Sequence, residues 1–293
     1  MFGMSRKVAG VILVAVVATL SACSKSDEAD LVLTNGQIYT MDANRSWADS
    51  VAISDGRIVY VGNRDGAEQF VGDSTRKVDL GKKMLLPAFQ DVHIHPVYGG
   101  VHYLGCPLFD LYSLEEVLAA VSNCATSDAD APVIKGFGWT WGMFVGNDGP
   151  NKQMLDEIDD TRPIVIGDAD GHTLWLNSKA LEFAGINKET SDPPGGEIGR
   201  DPRTGELTGT LLEGPAMKLV DAKLPPVTQQ DQIEGLRYAQ SYLHSLGITT
   251  MHDAIVELTG NGVYRSLDAY KEMRDSGELK LRVVAALYWE PGE

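Results

Sequence analysis

Two histidines one residue apart, His93 and His95, carry the clearest chemistry in this sequence. They close the stretch Leu85-Leu86-Pro87-Ala88-Phe89-Gln90-Asp91-Val92-His93-Ile94-His95-Pro96. Side chains on a strand alternate between faces, so positions two apart project the same way. Both imidazoles would then stand side by side, and neutral imidazole is a common ligand for divalent metals. Such a pair is half of a metal site. Ile94 would face the other side and pack, and Pro96 would end the strand just past the ligands. The same spacing also suits two satisfied polar residues at a strand end, and the pair alone does not separate the two readings.

Other residues could serve the same chemistry. Asp91 shares a strand face with His93, one step deeper. It could orient a ligand imidazole, because ligand histidines usually donate their second N–H to a carboxylate or carbonyl; a salt bridge or cap suits it equally. His172 and Trp175 are candidates for a substrate pocket, with helix capping as the alternative for His172. Trp139 and Trp141 could line the same cavity or belong to the core, where aromatics mostly sit. His252 ends a predicted strand and could approach a metal. Glu213 either meets substrate or closes a hairpin, and His102 and His244 read as surface residues. The sequence has no Gly-x-Ser-x-Gly elbow, which argues against serine-hydrolase chemistry. It has neither Gly-x-Gly-x-x-Gly nor a Walker loop, which argues against nucleotide binding.

The elements that must position these residues fall into two blocks. Residues 31–87 read as β: Asn35-Gly36 and Asp55-Gly56 each separate two apolar runs, the strongest short hairpin signal. Two hairpins followed by a strand at Lys83–Leu86 predict a small sheet or sandwich. After Pro96 the period becomes helical. Ser113 and Glu116 form a predicted capping box ahead of the stripe Leu114, Val117, Leu118 and Val121. Short strands are predicted at Pro132–Lys135 and Pro163–Gly167, with an aromatic turn at Phe137–Trp141 and a short helix capped by Asn151. A helix begins near Asn177, and a hairpin spans Glu197–Leu211 around Arg203-Thr204-Gly205. Thr228 opens a longer helix carrying Ile233, Leu236, Leu243 and Leu246, followed by a strand at Ile248–Met251. A helix near Ser266–Ser276 and a strand at Leu281–Leu287 complete the pattern. Alternating strands and helices imply βαβ units and a parallel sheet.

Composition bounds the answer. The 293 residues allow one large domain or two smaller ones. A net charge of −16 leaves no basic footprint, so a nucleic-acid partner is not expected. At the N-terminus, Arg6-Lys7 precede an apolar run, Val8–Leu20, too short for a bilayer span of about 20 residues. It ends in Leu20-Ser21-Ala22-Cys23, which looks like a bacterial lipobox; an uncleaved anchor helix is the alternative. Residues 1–22 then read as a lipoprotein signal peptide, Cys23 as the lipid-attachment site and 23–30 as a tether. Ser24 after the cysteine favours the outer membrane, with the protein facing the periplasm. That oxidising compartment permits a disulfide between Cys106 and Cys124, although sequence does not show that they meet.

Taken together, these motifs resemble the amidohydrolase superfamily. The run from Leu85 to His95 resembles that family's first barrel strand, which ends in His-x-His. The segments Asp168–Leu181, Gly209–Glu213 and Leu246–Asp253 resemble its amidohydrolase 3 branch, which includes YtcJ-like and N-substituted formamide deformylase-like proteins. The resemblance covers about residues 30–293, with Ala88 standing where the family usually has Gly. It implies an α/β fold: a metal-dependent (β/α)8 barrel, partial in this chain, with an N-terminal β-sandwich half over 31–87. An inserted α+β segment would run over about 97–215 within 88–293. It also implies a divalent metal, zinc being the default for His-rich hydrolytic sites, held by His93 and His95. The substrate would be a small molecule bound at His172 and Trp175, with metal-activated water attacking a carbonyl-type carbon of an amide or other non-peptide C–N bond. Only three barrel strands are predicted, at Gln90–His95, Ile248–His252 and Leu281–Leu287. The family's carboxylated lysine, two later histidines and catalytic aspartate are expected beyond Glu293. The chain is accordingly expected to be an N-terminal fragment, inactive by itself. The competing expectation is a lipid-anchored periplasmic binding protein without catalysis.

Overall fold

The computed structural model describes residues 28–145, 149–256 and 266–288. The predicted signal peptide, Cys23 and the first part of the predicted tether lie outside the described residues. The chain divides into two compact units, Met1–Pro87 and Ala88–Glu293.

The first unit contains β1 (Leu31–Thr34), β2 (Gln37–Tyr39), β3 (Trp47–Ala48), β4 (Ser50–Ser54) and β5 (Arg57–Gly62). A one-turn helix α1 (Arg64–Ala67), β6 (Arg76–Asp79) and β7 (Met84–Leu85) follow. They form two sheets, ordered β5-β4-β1-β6 and β3-β2-β7. The second predicted hairpin is present, β4 pairing antiparallel with β5 around Asp55-Gly56. Both turn residues take positive φ, 51° and 70°, as a tight hairpin turn requires. The first predicted hairpin is not present. β1 pairs with β4 and β6, whereas β2 pairs with β3 and β7. At Asn35-Gly36 only Asn35 has positive φ, and the Gly36 N–H donates to the Asp49 carbonyl, so the chain passes from one sheet to the other.

The second unit opens with β8 (Phe89–Ile94), α2 (Pro96–Leu104), β9 (Cys106–Pro107), α3 (Leu114–Ser127) and β10 (Ile134–Trp139). Next come α4 (Lys152–Asp156), β11 (Ile164–Asp168), β12 (Thr173–Leu176), α5 (Ser178–Ala184), β13 (Glu197–Arg200) and β14 (Leu207–Leu212). It continues through α6 (Glu213–Asp221), α7 (Gln229–Ser245), β15 (Ile248–Val256), α8 (Ser266–Asp275) and β16 (Arg282–Leu287). The fold is mixed α/β. A six-stranded sheet runs β13-β14-β12-β11-β10-β9, and a three-stranded sheet runs β16-β15-β8. The second is wholly parallel, as the alternating strand and helix signals imply.

Local chemistry explains most of these boundaries. Ser113 caps α3 through the predicted box, its hydroxyl accepting from the Glu116 N–H while Glu116 reaches back to the cap. Thr228 and Asp231 do the same for α7. At its other end α3 is held by Arg162, whose guanidinium donates to the carbonyls of Ala125 and Asp128 at 2.7 and 2.8 Å. Such donors satisfy carbonyls that a helix terminus leaves unpaired. The predicted aromatic turn is a correction: Phe137 to Trp139 belong to β10, and a bulge at Gly138 takes up the extra residue that made the sequence look turn-like. Cys106 and Cys124 are bridged, which joins β9 to α3.

The parallel sheet is covered on one face. Met251 of β15 packs with Leu236 and Leu243 of α7 and with Tyr270 and Met273 of α8. Burying a Leu- or Met-sized side chain contributes about 1.5–3 kcal/mol, so this cluster holds the strands to their helices. Val284 alternates with Val283, which packs on that cluster, and is 52 % exposed. The helix α2 lies against α7 at two glycines. A Cβ on Gly100 would collide with the Gly235 carbonyl, and one on Gly235 would fall 2.7 Å from the Val101 nitrogen.

Candidate functional site

β8 carries His93 near its C-terminal end and stops at Ile94, one residue earlier than predicted. His95 follows as the N-cap residue of α2, with Pro96 in the first helical turn, where its missing N–H costs nothing. The strand leads into a helix at once, a continuation that the sequence pattern did not reveal. The two rings lie nearly perpendicular, at 86°, with centroids 5.3 Å apart. Two imidazoles on one tetrahedral cation, each bonded at about 2.0–2.1 Å, would have centroids roughly 5 Å apart. The pair therefore fits half of a coordination shell. Among the described residues no group of three or more His, Cys, Asp and Glu side chains is gathered closely enough to complete it.

The neighbours of the pair come from β8 itself, from β15 and from α8. Asp91 acts on backbone rather than on a ring, its Oδ1 accepting the His93 N–H at 3.0 Å. The Nδ1 atom of His252 lies 3.1 Å from the Val92 carbonyl. A carbonyl can only accept, so a hydrogen bond here is donated by the Nδ1–H of His252. Asp253 is buried, and its Oδ1 stands 3.8 Å from Nδ1 of His95. The Tyr270 hydroxyl donates to its Oδ2 at 2.8 Å, and the Ile255 N–H donates to Oδ1 at 3.2 Å. Burial pushes the Asp253 carboxyl above its usual range, against the pull of the Tyr270 hydroxyl, the Ile255 amide and the two nearby imidazoles. Burial, with Asp253 alongside, pushes the Tyr270 phenol up as well.

Asp253 did not emerge from the sequence as a site residue, but a signal was there. Two positions after Met251, it is a carboxylate on the apolar face of a strand, and such a group is costly to bury unless something binds it.

His172 and Trp175 reach different surroundings. His172 is exposed at the start of β12, its Nδ1 3.2 Å from Oε2 of Glu213. Trp175 has no exposed surface and packs among Trp139, Phe144 and Leu155, its indole donating to the Asn151 carbonyl at 2.8 Å. Trp139 is equally buried, while Trp141 is 45 % exposed. Glu213 does not close a hairpin; it begins α6 directly after β14. His102 departs from the surface position expected of it. Its ring stacks on Phe137 at 4.3 Å, and burial, with Lys135 as a second influence, lowers its pKa to about 4. A shallow concavity beside Lys152, Ser178, Leu181 and Leu207 has none of these histidines in its lining.

Residues 76–292 match the model of the amidohydrolase family, in its amidohydrolase 3 form. The chain belongs to this family. His93, His95, His172, Glu213 and Asp253 all fall inside the matched span. It is similar to Protein LONG AFTER FAR-RED 3 of Arabidopsis thaliana, 36 % identical over 225 residues, which cover 77 % of this chain and 38 % of that protein. It is also similar to the N-substituted formamide deformylase of Arthrobacter pascens, 29 % identical over 249 residues, covering 83 % of this chain and 46 % of the other. Among solved structures, a metal-dependent hydrolase from Pyrococcus furiosus superposes with a TM-score of 0.60 at 26 % identity, covering 88 % of this chain and 50 % of that one. The chain thus spans half or less of the length of each of these relatives.

Proposed function

We propose that this chain supplies the first part of a metal-dependent amidohydrolase barrel that cleaves amide or other non-peptide C–N bonds of a small molecule. The observation that carries the reading is the His93–His95 pair, with ring centroids 5.3 Å apart, at the C-terminal end of a parallel strand. Active sites of parallel α/β barrels lie at that end. The partial barrel is further supported by β8, β15 and β16, which are neighbours in one parallel sheet. Parallel sheets are ordinarily covered on both faces, whereas Val284 lies on a face that the described residues leave open.

In this reading His93 and His95 hold a divalent cation, for which zinc is the first choice. When bound, the cation polarises a carbonyl-type oxygen and makes water reactive near neutral pH. His252 stands on the neighbouring strand β15, its Nδ1 3.1 Å from the Val92 carbonyl of β8. His172 and Glu213 orient the substrate from the six-stranded sheet, and Trp175 supports the strand that carries His172 from within the core. The same reading calls for a proton-transfer aspartate and further ligands, and among the described residues no group of three or more such side chains is gathered. A cell-envelope location, with lipid on Cys23, is proposed alongside; the lipobox and the Cys106–Cys124 bridge support it.

The test is metal analysis of the purified protein, followed by reconstitution with zinc and assay against N-formyl and N-acyl compounds. Metal retained by the natural chain and lost in a His93→Ala, His95→Ala variant of unchanged circular dichroism is the expected result. No metal retained and no turnover by the complete reading-frame product would overturn it, in favour of a binding protein.

A further inference from the structure

We propose that Asp253, backed by Tyr270, is the residue that positions His95 and fixes its tautomer. The inference deepens the metal-site reading and rests on it for its functional meaning, while its geometry stands independently.

The carboxylate is the fixed partner and the imidazole the adjustable one. The Asp253 side chain is 2 % exposed against 39 % for His95, and their facing atoms are 3.8 Å apart. Oδ2 is held by the Tyr270 hydroxyl from α8, and Oδ1 by the Ile255 N–H from its own strand. An ionised carboxylate offers about four acceptor positions, so these two donors leave Oδ1 capacity for a third. At 3.8 Å the two groups are not yet hydrogen-bonded. Rotation of the half-exposed ring by roughly 1 Å at Nδ1 brings them to the about 2.7–2.9 Å of a charge-assisted bond. The Nδ1 proton then points at Asp253, which leaves Nε2 as the nitrogen free to coordinate. Ligand imidazoles are commonly oriented by such a carboxylate behind them. Asp91, the nearest acid in sequence, is spent on the His93 backbone instead.

The test reads protons on the ring nitrogens, not turnover. Long-range proton–nitrogen NMR of the metal-free chain, with His95 assigned through His95→Gln, is expected to show His95 protonated at Nδ1 and bare at Nε2. Asp253→Asn should mix the two tautomers, Asp253→Glu should restore the first in part, and Tyr270→Phe should fall between. In zinc or cobalt titrations Asp253→Asn should bind about ten- to a hundredfold more weakly. An Nε2-protonated His95 in the natural chain would overturn the proposal, as would an unchanged tautomer ratio in folded Asp253→Asn. Should Asp253→Asn fail to fold, the natural chain and Tyr270→Phe decide by the same readout. The expected tautomers without any metal affinity would sink the hydrolase reading and leave this one standing; metal binding with tautomers indifferent to Asp253 would do the reverse.

Discussion

The Nδ1 atom of His172 lies 3.2 Å from Oε2 of Glu213, with the two side chains 68 % and 58 % exposed. An exposed pair of this kind contributes little to stability. Yet Glu213 holds a left-handed backbone, φ 68°, where a residue with a side chain is strained by about 1–2 kcal/mol. A strained residue that adds little stability points to retention for function. Glu213→Gly is therefore expected to leave the urea midpoint unchanged or raise it and, on the proposed function, to raise KM for the substrate. A lower midpoint together with unaltered KM would show Glu213 to be structural.

Asn177 should be among the least replaceable residues in the six-stranded sheet. It is fully buried and uses both ends of its amide: Oδ1 accepts from Ile164 and Ala180, and Nδ2 donates to the carbonyls of Asp159 and Arg162. Asn177→Ala strands four backbone groups and is expected to cost about 3–5 kcal/mol, read by chemical denaturation. The family-like segment Leu176–Leu181 thus owes its asparagine to architecture.

Acid should destabilise the protein through His102. Its folded pKa of about 4 lies below the unfolded value, so between roughly pH 6.5 and 4 the unfolded chain binds the extra proton. Stability falls as pH drops through that window. His102→Leu should flatten that part of the pH–stability curve; a curve identical to that of the natural chain would refute the assignment.

The bridge between Cys106 and Cys124, 18 residues apart, closes a loop whose tethering is worth about 3 kcal/mol. Reduction with dithiothreitol, or the paired change to serine, should lower the urea midpoint accordingly. Equal midpoints with and without reductant would show that the cysteines remain thiols.

Local signals were legible wherever one residue's chemistry decides the outcome. The box at Ser113, the helix starts at Thr228 and Asn151 and the Asp55-Gly56 turn all formed as read. So did the parallel strands that begin at Phe89, Ile248 and Arg282. What escaped was long-range pairing. Asn35-Gly36 carries the same letters as a hairpin turn, but sheet membership is settled by partners at residues 47–53 and 76–85. Trp175, expected to line a pocket, lies in the core instead: period-two alternation vanishes when both faces of a strand are covered, and all of Thr173–Leu176 is buried. Asp253 escaped for a related reason: its partners Tyr270 and His95 lie on other elements.

The bare crossing of α2 and α7 gives Gly100 and Gly235 leverage beyond their size. His95 begins the very rod that Gly100 presses to its neighbour, five residues on and about 7.5 Å along the axis. One added methyl at either glycine would tilt that rod like a wedge under a beam, swinging an imidazole away from its companion without touching either ring.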